Sequence, residues 1–103
     1  MITNQRRVRI KLYGAQQAHS THRFIQRVAL ELGLLGWVRN SEHGVVLEAE
    51  GGVQDLLALI ARLQQENSPQ YSIASLEYLL LAPQGYIQFE TLPDEHPASA
   101  GVG

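Results

Sequence analysis

The spacing of hydrophobic residues predicts a strand at the start of the chain. Val8, Ile10 and Leu12 alternate with charged residues, and a period of two is typical of a strand with one buried face. Gly14 ends this strand, and residues 15–20 follow as a loop of small and polar residues. The first element is therefore a half-buried strand that leads into a loop.

Two amphipathic helices are predicted where the spacing becomes helical. In the first helix, which begins near Thr21, apolar residues recur with the helical period as far as Leu32. Ser20 or Thr21 is a natural N-cap, and Gly33 is a natural C′ residue. The second helix follows the glycine pair at 51–52. The residues predicted to form its apolar face are Val53, Leu56, Leu57, Ile60 and Leu63.

The remaining apolar segments predict strands. Residues 36–40 and 45–50 form a hairpin around a turn at 41–44. Residues 73–81 form a long strand, and residues 86–90 form a short last strand. The resulting order, βαββαβ plus a short strand, predicts a ferredoxin-like α/β (α+β) sandwich. This fold has an antiparallel sheet with two helices on one face.

The composition changes near the C-terminus. Residues 93–103 are rich in Pro, Gly, Ala and Ser and have no periodicity, which predicts a disordered tail. The chain therefore divides into one domain over residues 1–92 and a tail over residues 93–103. The residues predicted to be buried are Val8, Ile10, Leu12, Ile25, Val28, Leu32, Leu56, Ile60, Leu63 and Ile73.

Some apolar and acidic residues admit both a structural and a functional interpretation. The three leucines at 79–81 are interpreted as buried strand, although at least one must face outward, which leaves homodimerisation as an alternative. Trp37 is interpreted as core or sheet packing rather than ligand stacking. Four scattered acids are interpreted as solvent-facing carboxylates without an acid/base pair, namely Glu48, Glu50, Glu77 and Glu90.

The composition argues against several functional classes. A net charge of −2 gives no basic footprint for nucleic acid. The absence of cysteine excludes disulfides, thiolate catalysis and cysteine metal sites. No run approaches the roughly 18 apolar residues that span a bilayer, and the N-terminus lacks the apolar segment of a signal peptide. We therefore expect a cytoplasmic protein that binds neither nucleic acid nor membranes.

Residues 32–40 carry a family resemblance. Their sequence, Leu-Gly-Leu-Leu-Gly-Trp-Val-Arg-Asn, is similar to the acylphosphatase stretch Leu-Gly-Leu-x-Gly-Trp-Val-x-Asn. The preceding helix matches without gaps from Phe24, and the resemblance extends over residues 7–91. It implies the acylphosphatase topology, which is the βαββαβ order already predicted.

The resemblance implies hydrolysis of carboxyl–phosphate bonds without a metal or cofactor. In acylphosphatases, a loop of the form Gly-x-Val-Gln-Gly-Val-x-Phe-Arg surrounds the phosphate with backbone N–H groups at a helix N-terminus, which is a natural anion site. The Arg binds phosphate oxygens, and an Asn on the next strand orients the attacking water. The implied partner is a small acyl phosphate or a phosphate anion.

Position by position, the phosphate loop departs from the family pattern. Gly14 and Gln17 match the loop and Asn40 matches the water-orienting Asn, but His22 stands where the Arg is expected. Positions 16, 18, 19 and 21 also differ. The resemblance makes Asn40 and His22 the catalytic candidates. The phosphate-binding candidates are Gly14, Gln17, Ala18, His19, Ser20, Thr21 and Arg23.

Histidine is a poor substitute for the expected arginine. An ordinary imidazole is mostly neutral at pH 7 and lacks the guanidinium fork. Losing one charge-assisted anchor costs about 2–4 kcal/mol of transition-state stabilisation, or roughly 30- to 1000-fold in rate. Arg23 could act instead only if the loop were one residue longer, and it points about 100° away from His22 around the helix.

Two functions remain as alternatives. The first is a weak acylphosphatase. The second is a non-catalytic binding or interaction module, because a similar module occurs in larger carbamoyl-phosphate-handling hydrogenase maturation proteins and a fold alone does not settle activity. His19 and His22 have a spacing compatible with a metal pair but no third ligand nearby, so a solvated pair is the preferred interpretation. Nucleic-acid binding is a third, disfavoured interpretation.

Overall fold

A computed structural model of the chain describes residues 5–13, 19–42, 44–65 and 75–94. In chain order, its elements are β1 (Gln5–Tyr13), α1 (His19–Glu31), β2 (Leu35–Ser41), β3 (Gly44–Gly52), α2 (Val53–Gln65), β4 (Ser75–Leu81) and β5 (Phe89–Thr91). No helix in this part of the chain has the length and apolar character needed to cross a membrane.

The strands form one sheet in the order β4-β1-β3-β2-β5. The β1–β3, β1–β4 and β2–β3 pairs are antiparallel. Both helices contact the sheet and each other, which places them on the same face. The predicted ferredoxin-like fold is therefore confirmed. We call the face without helices the open face.

The fifth strand differs from the predicted antiparallel sheet because it pairs with β2 in parallel. Gly36 donates its N–H to the carbonyl of Gln88, and Leu92 donates to the carbonyl of Val38, both at 2.8 Å. The chain must pass from the β4 edge to the β2 edge before β5 can form, and it enters beside the start of β2. A parallel strand follows from that point of entry.

Helix α1 ends as its sequence predicts but begins earlier. Gly33 has a φ of 70°, and the two bonds around it, Leu34 N to Ala29 O and Gly33 N to Leu30 O, are those of a Schellman motif. The predicted N-caps, Ser20 and Thr21, instead lie inside the first turn, because the helix begins at His19.

The hydrophobic core lies between the helices and the sheet. The predicted core residues within the described ranges are buried, except that Leu32 is only partly buried. Ile73 lies outside those ranges. On α2, the prediction for Leu57 is wrong, because it is 52% exposed while Leu59 is buried. The buried stripe contains residues 56, 59, 60 and 63, so position 57 points away from the sheet.

The leucine run in β4 is not buried as predicted. Leu79 is 59% exposed and Leu80 is 48% exposed. Strand β4 is an edge strand, and the helices pack mainly over β1, β2, β3 and β5. The outermost strand therefore keeps apolar side chains at the surface.

Glu48 lies at the centre of the open face, and its predicted exposure is wrong. Its side chain is buried, and its carboxylate accepts hydrogen bonds from Arg7 at 3.0 Å, from Arg9 at 2.7 Å and from the Tyr86 hydroxyl. Burial by itself would raise the pKa of Glu48, but these bonds outweigh it and hold the pKa below its ordinary value. The charge can be buried because several donors compensate it.

Residues 82–88 cross from one edge of the sheet to the other and are held by side chains of the open face. Arg7 donates to the carbonyl of Ala82 at 3.0 Å, and Glu50 accepts from the backbone N–H groups of Gln84 and Gly85. Glu50 is therefore also buried rather than solvent-facing. Its carboxylate satisfies backbone N–H groups of this connection that would otherwise pair with a neighbouring strand.

We expect Glu48→Gln to destabilise the fold in a pH-dependent way. Removing the anion from two arginines should lower the unfolding free energy by about 3 kcal/mol at pH 7. Because the folded pKa lies below the ordinary value of 4.5, this contribution is complete above that value and is lost as the pH falls through the folded pKa. Urea unfolding of both proteins at several pH values measures the gap.

Glu90→Gln is the matched control, because Glu90 is exposed on β5. It should change the unfolding free energy by less than about 0.5 kcal/mol. A gap between wild type and Glu48→Gln that stays constant down to acid pH would contradict the assigned role of the Glu48 charge.

Candidate functional site

The candidate site lies at one end of the sheet. Tyr13, the last residue of β1, is in register with Gly44, which also pairs with Ser41 at the end of β2. Asn40 precedes Ser41 and lies on the face that carries the helices, as do Val38 and Gly36, which are two and four positions earlier. Helix α1 packs against β2 and brings its first turns to this end.

The structure brings the two catalytic candidates, His22 and Asn40, together. The Nε2 atom of His22 lies 2.8 Å from the Oδ1 atom of Asn40. His22 is only 8% exposed, so the interpretation of a solvated histidine pair is wrong for this member. Its burial follows from its position on the inner side of α1, next to the buried Thr21.

Asp94 is a further member that the sequence analysis missed. The Nδ2 atom of Asn40 donates to Asp94 Oδ1 at 2.8 Å. Both Pro93 and Asp94 fall in the predicted tail, yet Pro93 also accepts a hydrogen bond from Arg39 at 3.3 Å. No motif marks Asp94 in the sequence, because its role depends on β5 running parallel to β2.

The other predicted site residues divide into three groups. Arg23 is exposed, so it faces away from the His22–Asn40 pair, as expected for the next position on a helix. His19 and Ser20 lie in the first turn of α1. Gly14, Gln17 and Ala18 lie outside the described residues.

The three side chains form a continuous hydrogen-bonded chain, Asp94–Asn40–His22, with one carboxylate, one amide and one imidazole. Such a chain can fix the orientation of the amide and of the imidazole ring. Within the described ranges, no group of three or more His, Cys, Asp or Glu is placed to hold a metal ion. The Asp94–Asn40–His22 chain can orient a water molecule or an oxygen atom of a ligand.

A separate cavity of about 470 Å³ lies on the open face. Lys11 and Arg39 stand on either side of Val46, with which both are in register, and Arg9 and Trp37 also line the cavity. The lining therefore combines cationic and aromatic side chains with one acidic residue, Glu42. No pattern along the sequence marks this cavity, because these residues come from three strands.

Trp37 is fixed on this face. Its indole N–H donates to the Tyr86 hydroxyl at 3.0 Å, and the Arg39 guanidinium carbon lies 5.7 Å from the centre of its ring, within cation–π range. Trp37 is therefore not part of the hydrophobic core; it is held on the open face of the sheet, where its ring also lines the cavity.

Sequence comparison identifies relatives of two sizes. A sequence model of the acylphosphatase family matches residues 7–91. An acylphosphatase from a Synechococcus species is 42% identical over 78 residues, covering 74% of this chain and 81% of the relative. Carbamoyltransferase HypF2 of Cupriavidus necator is 43% identical over 63 residues, which is 61% of this chain but 8% of that protein.

Structural comparison gives the same division. An acylphosphatase from Coxiella burnetii superposes with a TM-score of 0.76 at 26% identity, covering 86% of this chain and 94% of the relative. Full-length HypF, in a phosphate- and nucleotide-bound crystal form, superposes with a TM-score of 0.83 at 20% identity, covering 92% of this chain and 13% of HypF. At 20% identity, this superposition on HypF shows a shared fold alone.

The chain thus corresponds to nearly the full length of an acylphosphatase and to about a tenth of a HypF protein. The matched residues include β1, both helices and the β2 segment that ends at Asn40. With its family pattern matched across residues 7–91 and its sheet built in the corresponding order, this chain belongs to the acylphosphatase family.

Proposed function

We propose that this domain is a weak acylphosphatase. It binds a small acyl phosphate near the start of α1 and hydrolyses it at least a hundredfold more slowly than a typical enzyme of its family. The observation that carries the proposal is the 2.8 Å contact between His22 Nε2 and Asn40 Oδ1. The residue that replaces the phosphate-binding arginine directs one of its two nitrogens to the catalytic candidate.

The number of available hydrogen-bond donors explains the expected weakness. A guanidinium offers five N–H donors and can grip two phosphate oxygens, whereas an imidazole has two nitrogens. With Nε2 directed to Asn40, a single nitrogen of His22 remains for a ligand. The loss of a bidentate, permanently charged anchor removes about 2–4 kcal/mol of transition-state stabilisation.

The proposed roles follow from this arrangement. Asn40 orients the attacking water, and His22 holds Asn40 and contributes at most one contact to phosphate. Backbone N–H groups at the start of α1, together with the loop candidates Gly14, Gln17 and Ala18, would hold the phosphate oxygens. Arg23 is exposed and stays outside the proposed machinery.

A second candidate function is a binding module that uses the open face for a small phosphorylated ligand. The cavity there supports it, because Lys11 has no ion pair among the described residues. The described contacts of Arg39 are the Pro93 carbonyl and the Trp37 ring, and neither neutralises its charge. Arg7 and Arg9 share the single charge of Glu48, which leaves further positive charge at the cavity wall.

Turnover of acetyl phosphate and carbamoyl phosphate tests the hydrolytic proposal. We expect wild-type rates far below the usual enzymatic range of about 1–10³ s⁻¹, and a further fall to the uncatalysed background in Asn40→Ala. Ser41→Ala is the matched control, because Ser41 is the next residue on β2 and faces the opposite side of the sheet. Equal rates in wild type and Asn40→Ala would contradict the role of Asn40.

We expect His22→Arg to raise the affinity for inorganic phosphate, because a permanent planar cation gains charge-assisted bonds worth about 1.5–3 kcal/mol. Turnover should recover only in part, since the loop still differs from the family pattern. Asp94 is a competing anion for the new guanidinium, so His22→Arg is compared with the pair His22→Arg and Asp94→Asn. Backbone amide shifts on phosphate addition measure binding. No response in any variant would mean that the start of α1 is not an anion site.

The binding-module candidate has its own probe, because Trp37 is the chain's single tryptophan. We expect AMP to change its fluorescence, excited above the absorption of the nucleotide, and Lys11→Gln or Arg39→Gln to weaken that response at least tenfold, in line with about 1.5 kcal/mol for a charge-assisted bond. Arg62→Gln on α2 is the control. Responses that are equal in all four proteins would contradict this candidate.

A further inference from the structure

Asn40 lies between a group that accepts hydrogen bonds and a group that can either donate or accept. Asp94 Oδ1 is 2.8 Å from Asn40 Nδ2, and His22 Nε2 is 2.8 Å from Asn40 Oδ1. The two ends of an amide differ in chemistry, since the nitrogen carries two donors and the oxygen two lone pairs. The orientation of the amide therefore determines what His22 must do.

The carboxylate settles that orientation. An ionised carboxylate has acceptors only, so the atom of Asn40 beside Asp94 must be the N–H donor. The atom beside His22 is then the carbonyl oxygen, which can only accept. His22 must consequently carry a hydrogen on Nε2.

We propose that Asp94 is a positioning residue: through Asn40 it fixes the tautomer of His22, with the hydrogen on Nε2. This inference rests on the proposed function, since it concerns the same two candidates, but it makes a separate statement about a residue outside the family motif. Asp94 acts through Asn40, and the structure gives it no direct contact with His22.

Asn40 has hydrogen-bonding groups that a ligand could use. Among the described residues, one of the two N–H groups of Asn40 and one of its oxygen lone pairs have partners, so one donor and one acceptor remain without a partner in that part of the chain. A water molecule or a phosphate oxygen would meet an amide that is already oriented. The same carboxylate places a negative charge next to the position where a phosphate anion would bind, and like charges repel.

These two effects act on different kinetic constants. Loss of amide orientation should lower kcat, because a misplaced water is a poor nucleophile. Loss of the nearby negative charge should lower KM for an acyl phosphate. Asp94→Asn is therefore expected to reduce kcat several-fold while KM stays unchanged or falls. A side chain that merely stabilised the fold would not separate the two constants in this way.

The direct test is the tautomer itself. Nitrogen NMR of the imidazole rings, recorded above the pH at which histidine titrates, distinguishes hydrogen on Nε2 from hydrogen on Nδ1. The resonances of His22 are those absent from His22→Gln. We expect Nε2–H in wild type and a several-fold fall in the Nε2–H to Nδ1–H ratio in Asp94→Asn, where the amide of Asn40 can rotate.

Two further variants serve as rescue and control. Asp94→Glu keeps an acceptor-only carboxylate and should restore the wild-type ratio at least in part. Glu90→Gln removes an exposed negative charge from the neighbouring strand β5 and should leave the ratio unchanged. An Asp94→Asn ratio equal to that of wild type, in a protein with an otherwise unchanged amide spectrum, would overturn the inference.

Failure of this inference and failure of the proposed function give different results. A shifted tautomer without acyl-phosphate turnover in wild type would support Asp94 as a positioning residue and contradict the weak hydrolase. Turnover that depends on Asn40, together with a tautomer insensitive to Asp94, would contradict the positioning role and leave the hydrolase proposal intact.

Discussion

The hydrogen bonds to the carboxylate of Glu48 are the interaction on which the path of the chain to the candidate site depends. This carboxylate accepts hydrogen bonds from Arg7 and Arg9 on β1 and from Tyr86 in the segment that crosses the sheet. That segment carries the chain from the β4 edge to the β2 edge, and only after this crossing can β5 pair with β2. Asp94 lies three residues beyond the end of β5, so a buried charge on the open face helps to place a member of the candidate site on the other face.

The two faces of the sheet carry different chemistry for a structural reason. The helices cover one face and make it apolar, so that Asn40 is a polar residue at the margin of a hydrophobic core. The open face has no helix, and the negative charges of its buried carboxylates are compensated by ion pairs and by hydrogen bonds from the crossing segment. On the helix-covered face, aliphatic side chains are buried without a desolvation cost for polar groups. On the open face, hydrogen bonds to the carboxylates offset the cost of burying charge.

The sequence pattern predicted those features that depend on neighbouring residues. The alternation from Val8 to Leu12 was sufficient to predict β1, and Gly33 was sufficient to predict the end of α1, because side-chain direction and left-handed backbone are properties of short segments. Pattern failed where the deciding partner is distant in sequence: Glu48 is buried because of Arg7 and Tyr86. The family resemblance identified Asn40 and His22 but not Asp94, which follows a parallel strand that no periodicity distinguishes from an antiparallel one.

The sign of the local charge is the last constraint on the site. A phosphate-binding site needs net attraction for an anion, and the family pattern supplies it with a permanent cation. Here the described side chains around Asn40 are an imidazole and the carboxylate of Asp94. The start of α1 contributes the equivalent of roughly half a positive charge, which is smaller than the charge of one carboxylate. Any ligand held at this site must therefore gain its affinity from hydrogen bonds to backbone N–H groups and to the oriented amide, and these favour geometry over charge.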